Sequence, residues 1–252
     1  TSLEYVAEAF PQVEIVRLDR NYGFAEGYNR ALREVESEYY VLLNSDVEVS
    51  EGWCEKLVEA LDADPQLAAV APKLLADTDR ERFEYAGASG GFIDILGYPF
   101  CRGRILSTTE RDEGQYDTPR EVFWASGAAL CCRAEVFRRL GGFDADFFAH
   151  MEEIDLCWRM QLHGWKVTVV PESVVYHVGG GTLPATSPFK LFLNFRNNSL
   201  MLGNNLAKTF ALKELSGGSC IAKAARTGLQ KARRRMTVRK ILDWLSAITY
   251  LL

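Results

Sequence analysis

Apolar and polar positions along the chain switch between helical and strand periods. Leu3, Val6, Ala7 and Phe10 recur at helical spacing, and Pro11 ends that pattern. Val13 to Leu18 interleaves Val, Ile and Leu with charged residues and predicts a short strand. Asn21 to Asn29 reads Asn-Tyr-Gly-Phe-Ala-Glu-Gly-Tyr-Asn and opens a helix predicted to about Glu36, with Gly23 and Gly27 at its start. Tyr39 to Leu43 is an unbroken apolar run of β-forming residues, the pattern of a buried parallel strand. Ser50 predicts a cap for a helix through about Leu61 that carries Trp53, Leu57, Val58 and Leu61 on one face. Asp64-Pro65 ends that helix, and Leu67 to Ala71 predicts a second buried strand.

From Lys73 to Pro119 the periodicity loosens, which predicts irregular loops and hairpins laid over a sheet. Val122 to Cys132 predicts a strand pair or one bent strand, in which Gly127 marks the close approach of another group. Ala134 to Leu140 predicts a short helix before Gly141-Gly142. Glu152 to His163 predicts a helix closed by Gly164, with Glu153, Leu156, Cys157 and Met160 on one face and Asp155 facing Arg159 four residues on. Lys166 to Val170 and Val174 to His177 predict two further strands. Pro188 to Leu206 is amphipathic and Asn-rich, and helical spacing returns from Leu229 to Leu252.

Charge changes the picture at the C-terminal end. The net charge is −5, but residues 219–252 hold eight Lys/Arg against Asp243 alone, which gives +7 there and −12 for the rest. An acidic body excludes general nucleic-acid binding, and a basic tail suggests contact with an anionic surface. The six cysteines form no CxxC pair and sit mostly in apolar runs, as small buried hydrophobes in a reducing compartment do, so no zinc site is expected. No leader-peptide pattern opens the chain, and no apolar run reaches the roughly 18 residues that span a bilayer. The chain starts inside a helical pattern without Met and stops on an apolar run, as a fragment would.

Three places carry candidate chemistry. Asp144, Asp146, Glu152, Glu153 and Asp155 crowd into twelve residues. Glu153 falls in the first turn of a helix, next to its apolar side, where burial and the helix N-terminus pull its pKa in opposite directions. A general base needs such a balance, although carboxylates at a helix start also serve plain helix electrostatics. Asp46 follows the strand 39–43 and is either a turn residue or a ligand for a divalent cation. His177, before Gly179, Gly180 and Gly181, is either structural or a metal ligand. The glycine-bearing turn at Gly23 either caps its helix or lets backbone approach an anion.

Taken together, NYGFAEGYN (21–29), YYVLLNSDVEV (39–49), the run from Trp124 to His177 and HVGGGT (177–182) resemble glycosyltransferase family 2 of GT-A fold, above all its rhamnosyltransferase-like bacterial members, over roughly residues 13–205. The resemblance implies an α/β domain, Rossmann-like, with a mixed, mostly parallel sheet flanked by helices, over residues 1–206, and C-terminal helices that include a basic amphipathic tail over 207–252. It implies an inverting transfer of sugar from a nucleoside-diphosphate sugar to a hydroxyl of a glycan or lipid-linked acceptor in cell-envelope polysaccharide synthesis. The expected location is the cytoplasmic face, with the tail against the inner side of the plasma membrane. Glu153 takes the position of the base. Glu152 and Trp124 would contact the acceptor, and Asn21, Gly23, Asn44, Asp46, Ser126 and Gly127 would line the donor pocket. Asp46 and His177 would hold Mg²⁺ or Mn²⁺ against the diphosphate. The chain departs from the family pattern at three points: Glu153 stands where Asp is usual, Asn44 replaces the first acid of the metal motif, and the donor-binding start of the domain has no counterpart before Thr1. Two other readings are a non-catalytic sugar-nucleotide-binding or scaffold protein and a metal-dependent phosphoesterase. The latter needs more paired metal ligands than the sequence offers.

Overall fold

The structure, a computed structural model, describes residues 2–94, 96–179 and 187–215, without the side chains of 210–215. Helix α1 (Ser2–Ala9) and helix α2 (Gly23–Leu32) come first. Strands β1 (Tyr39–Leu43) and β2 (Val47–Val49) follow, then α3 (Trp53–Ala63) and the long strand β3 (Leu67–Ala76). The loosely patterned region resolves into β4 (Asp79–Phe83), a hairpin of β5 (Gly91–Ile93) and β6 (Pro99–Cys101), a second hairpin of β7 (Arg104–Ile105) and β8 (Thr108–Thr109), and β9 (Arg120–Glu121). Strand β10 (Ala129–Arg133), α4 (Ala134–Arg139), a 3-10 turn (Ala145–Phe147), α5 (Glu152–Leu162), β11 (Lys166–His177) and α6 (Pro188–Leu215) complete the order. Residues 1–202 form one compact unit, and the end of α6 belongs to a second that starts at Gly203. The basic stretch 219–252 and Gly180 to Thr182 lie outside the described residues.

The main sheet runs β1-β10-β3-β11-β2, with β4 added to β3 and β9 to β11. It is mixed, as expected, but it is not mostly parallel: β3 and β11 make its one parallel ladder among the described residues. The reason is the place of β10. It runs antiparallel to both β1 and β3 and separates two strands that share a direction. Parallel partners need long crossovers, whereas a short return makes an antiparallel edge such as β4 beside β3; β2 pairs antiparallel with β11 from far along the chain.

Leu57, Leu61, Leu67, Val70, Cys131 and Val170 make a core between α3 and the sheet. Leu74, Ala128, Ala129 and Val175 continue it toward the strand ends. Each buried Leu contributes about 2 kcal/mol relative to exposure. Lys166 to His177 is one strand rather than the two expected, because a bulge between Val170 and Val174 absorbs Pro171 without breaking the ladder. Two other expectations fail. Val13 to Leu18 forms no strand; among the described residues β1 has a ladder only on its β10 side. Ser50 does not cap α3: its hydroxyl donates to Val174 O at 2.7 Å, and Gly52, at φ 68°, takes the cap position.

Candidate functional site

The carboxyl ends of β1 and β11 meet at β2. His177 registers with Val47, and Val178 N donates to Asp46 O at 3.0 Å. This sets His177 Nε2 3.4 Å from Asp46 Oδ1. On its other side His177 Nδ1 lies 3.4 Å from Oε1 of the buried Glu84. Burial pulls the imidazole pKa down, but Glu84 and Asp46 more than offset this, so His177 titrates above its usual range. Glu84 had no signal in the sequence pattern. It sits just past β4, and Ala86 N donates to its Oε2 at 2.6 Å.

A second group of acids lies across a short bridge of backbone. Asn44 N donates to Ala128 O at 2.9 Å, so the turn after β1 rests on the segment before β10. That segment holds Ser126 and Gly127. A side chain at Gly87 would meet Ser126 Oγ at 2.8 Å, and one at Gly127 would meet Glu153 Cβ at 3.6 Å. Gly127 thus lies in the turn before β10 rather than inside a strand, beside Glu153, and a Cβ there would make only ordinary contacts. Glu84, Ser126, Gly127, Glu153, Asn44, Asp46 and His177 are linked through these contacts.

Glu152 and Glu153 open α5. Burial first, then the charge of Glu153, holds Glu152 well above the ordinary carboxylate range. Burial also pushes Glu153 up to about 7, against N–H groups of Glu153, Ile154, Met151 and Gly127 that favour its anion. The Oε2 atoms of both residues are buried without a hydrogen-bond partner. An unsatisfied buried acceptor costs roughly 1–3 kcal/mol. Asp155 instead bonds Arg159 at 2.7 Å, the structural pair its spacing predicts.

The remaining expected residues take other positions. Asn21 Oδ1 accepts from Gly23 N at 2.8 Å and so shapes the turn into α2. Gly23 has φ 79°, and a side chain there would lie 2.6 Å from Phe148 O. Phe24 N and Ala25 N both donate to that carbonyl, at 2.7 and 3.2 Å. The α2 N-terminus is therefore closed by Phe148 and does not present those N–H groups to an anion. Trp124 is buried and donates Nε1–H to Phe92 O at 2.9 Å, so its one polar group is already engaged.

Comparison with known proteins fixes the family. The model of "Glycosyl transferase family 2" matches residues 2–141. The chain belongs to glycosyl transferase family 2. This match ends before α5, so the placement of Glu152 and Glu153 rests on geometry. The chain is 28% identical over 186 residues to an N-acetylglucosaminyl-diphospho-decaprenol L-rhamnosyltransferase of Mycobacterium tuberculosis, covering 68% of this chain and 60% of that protein. It is 28% identical over 169 residues to a pre-mycofactocin glycosyltransferase of the same species, covering 66% of this chain and 32% of that protein. The chain thus spans less than two thirds of these relatives' lengths. A crystal structure of GalNAc-T7 with UDP, GalNAc and Mn²⁺ superposes with TM-score 0.61 at 16% identity, over 80% of this chain and 39% of that one. The family 2 chain therefore has the α/β GT-A fold.

Proposed function

We propose that this family 2 chain transfers a sugar from a nucleoside-diphosphate sugar to an acceptor hydroxyl, with inversion, and that Glu153 is the base. The observation that carries this reading is the Glu152–Glu153 pair: a buried Glu152 beside a half-buried Glu153, each with a buried, unpartnered oxygen, Glu153 titrating at about 7. A base near neutrality accepts a hydroxyl proton without being fully protonated itself. The proton passes from the acceptor hydroxyl to Glu153. That oxygen bonds the anomeric carbon from the face opposite the diphosphate, and the carbon–oxygen bond to the diphosphate breaks with its electron pair. Glu152, held neutral by burial and by its neighbour, can donate a hydrogen bond to the acceptor.

Asp46 and His177 are a suitable pair to hold Mg²⁺ or Mn²⁺. One offers carboxylate oxygen and the other an imidazole whose second nitrogen faces Glu84, the arrangement that orients metal-bound histidines. Among the described residues no group of three or more His, Cys, Asp or Glu side chains can hold a metal ion, so donor oxygens would complete the shell. When bound, the cation would supply positive charge to the leaving diphosphate. Asn44, Ser126 and Gly127 would line the donor side of the site. With Asn21 and Gly23 engaged at the start of α2, their part is to hold that wall in place.

The mycobacterial relative is named for a diphospho-decaprenol-linked substrate, which supports a lipid-linked or glycan acceptor and a place in polysaccharide synthesis. Among the described residues no helix is long and apolar enough to cross a membrane. Phe189, Leu191, Phe192 and Phe195 are exposed on α6, and the +7 stretch follows in the sequence, which together support contact with an anionic bilayer. Sedimentation with phosphatidylglycerol vesicles should fall for Phe192→Ser/Phe195→Ser, and equal binding by the parent and the variant would refute that contact. The transfer reading is tested with the purified protein, Mn²⁺ and a panel of nucleoside-diphosphate sugars. Release of nucleoside diphosphate should stop in Glu153→Gln while donor binding persists, and full turnover by that variant would overturn it.

A further inference from the structure

The loop that delivers Glu152 and Glu153 is strained. Phe148, His150 and Met151 have φ of 62°, 71° and 72°, in a region that side chains other than Gly rarely adopt. Such residues persist only where the surroundings enforce them. Here the enforcement can be traced carbonyl by carbonyl. Arg196 Nη2 donates to Asp146 O and Phe147 O, both at 2.8 Å. Asn197 Nδ2, with two N–H donors, lies within hydrogen-bond distance of Phe147 O at 2.9 Å, Ala149 O at 2.8 Å and His150 O at 2.6 Å and shares its hydrogens among them. Phe148 O is taken by the first N–H groups of α2. Five consecutive carbonyls, 146 to 150, therefore turn toward donors from two distant elements. The amide of Asn197 is itself oriented, because Arg196 Nε donates to its Oδ1 at 2.9 Å. Asn197 is fully buried.

We infer that Asn197, with Arg196, is the positioning element that holds the Phe148–Met151 turn in its strained form and thereby sets Glu152 and Glu153 at the acceptor. This rests on the reading of Glu153 as the base. Neither α6 residue touches the reacting atoms; both act through the backbone of the loop. Asn197→Ala removes the amide that donates to Ala149 O and His150 O, and relaxation of the turn moves the start of α5. Displacement of a catalytic group by about 1 Å costs about 10²-fold in rate.

The test uses the purified protein and two measurements. Hydrogen–deuterium exchange of peptides covering residues 144–153 needs no substrate, and Asn197→Ala should speed it by about tenfold or more as the loop opens. Turnover of whichever nucleoside-diphosphate sugar the panel selects should fall about 10²-fold in kcat, with KM for that donor changed by no more than about threefold. Arg196→Met keeps the apolar stem and serves if Asn197→Ala does not fold; it should shift both readouts the same way, with a loss of about tenfold in kcat. Unchanged kcat in a folded variant would overturn the inference, as would a loss of kcat with loop exchange unchanged. Glu153→Gln separates the two claims. If that variant keeps full turnover, the base assignment fails whatever Asn197→Ala does. If Glu153→Gln is inactive and Asn197→Ala is fully active, the base stands and the positioning role fails.

Discussion

Two helices in this chain begin with acids or glycines, and their N-termini do opposite things. Helix α2 starts at a glycine-bearing turn, the pattern that elsewhere invites an anion. The structure closes it: Phe148 O takes Phe24 N and Ala25 N, and Gly23 is needed so that the Phe148 carbonyl can approach. Helix α5 starts at a left-handed Met151 and carries two carboxyls, each with a buried, unpartnered oxygen. One N-terminus is used for architecture and the other is left chemically open, and the same residue, Phe148, lies between them. A helix start becomes a site only when the fold leaves its groups unsatisfied.

The comparison can be broken from either side. The largest expected effect is on the open end: Glu153→Gln should lower transfer by about 10²–10⁴-fold, measured as nucleoside diphosphate released per enzyme with donor binding checked separately. On the cation side, Asp46→Asn should weaken Mn²⁺ activation by about 10–100-fold, read as a rightward shift of activity against Mn²⁺ concentration. Glu152→Gln should be mild, less than about tenfold, because an amide imitates the neutral carboxyl that burial already enforces. On the closed end, Gly23→Ala should cost about 1–3 kcal/mol, seen in urea unfolding, since it combines positive φ with a backbone collision. Gly27→Ala, four residues on in the same helix with open space around it, should stabilise by about 0.5–1 kcal/mol. If the two glycine variants behave alike, the Phe148 closure is wrong.

Much of this architecture is legible in the amino-acid sequence. Helices α2 to α5 and strand β3 follow their apolar periods, and Glu152, Glu153 and the Asp155–Arg159 pair are legible because a helix fixes their spacing; β1, expected as a buried parallel strand, pairs antiparallel with β10 and leaves Val41 exposed, and β11 joins two expected strands into one. Asp46 and His177 are each legible as strand-end residues. The features that are not legible are held by long-range contact. Glu84 reaches His177 from a stretch with no period. Asn197 acts on a loop 47 residues away. Phe148 closes α2 from far downstream, and nothing local to Gly23 announces it. The antiparallel share of the sheet was hidden for the same reason: β10 inserts between β1 and β3 from far along the chain. Val13 to Leu18 shows the converse, a strand pattern without a neighbour to pair with.

The pH dependence of a single turnover tests the central claim most directly. A carboxyl raised to about 7 is protonated and idle below that pH, and it becomes a base as pH rises through it. The same raised pKa means that this group favours folding most at low pH. Its contribution declines as pH climbs from the ordinary Glu range, near 4.5, to about 7, so the activity is gained where stability is given up. Transfer rates measured between about pH 5 and pH 9 should rise along a limb centred near 7 in the parent and lose that limb in Glu153→Gln. A parent rate already flat from pH 5 upward, or a Glu153→Gln variant that keeps the limb, would contradict the account.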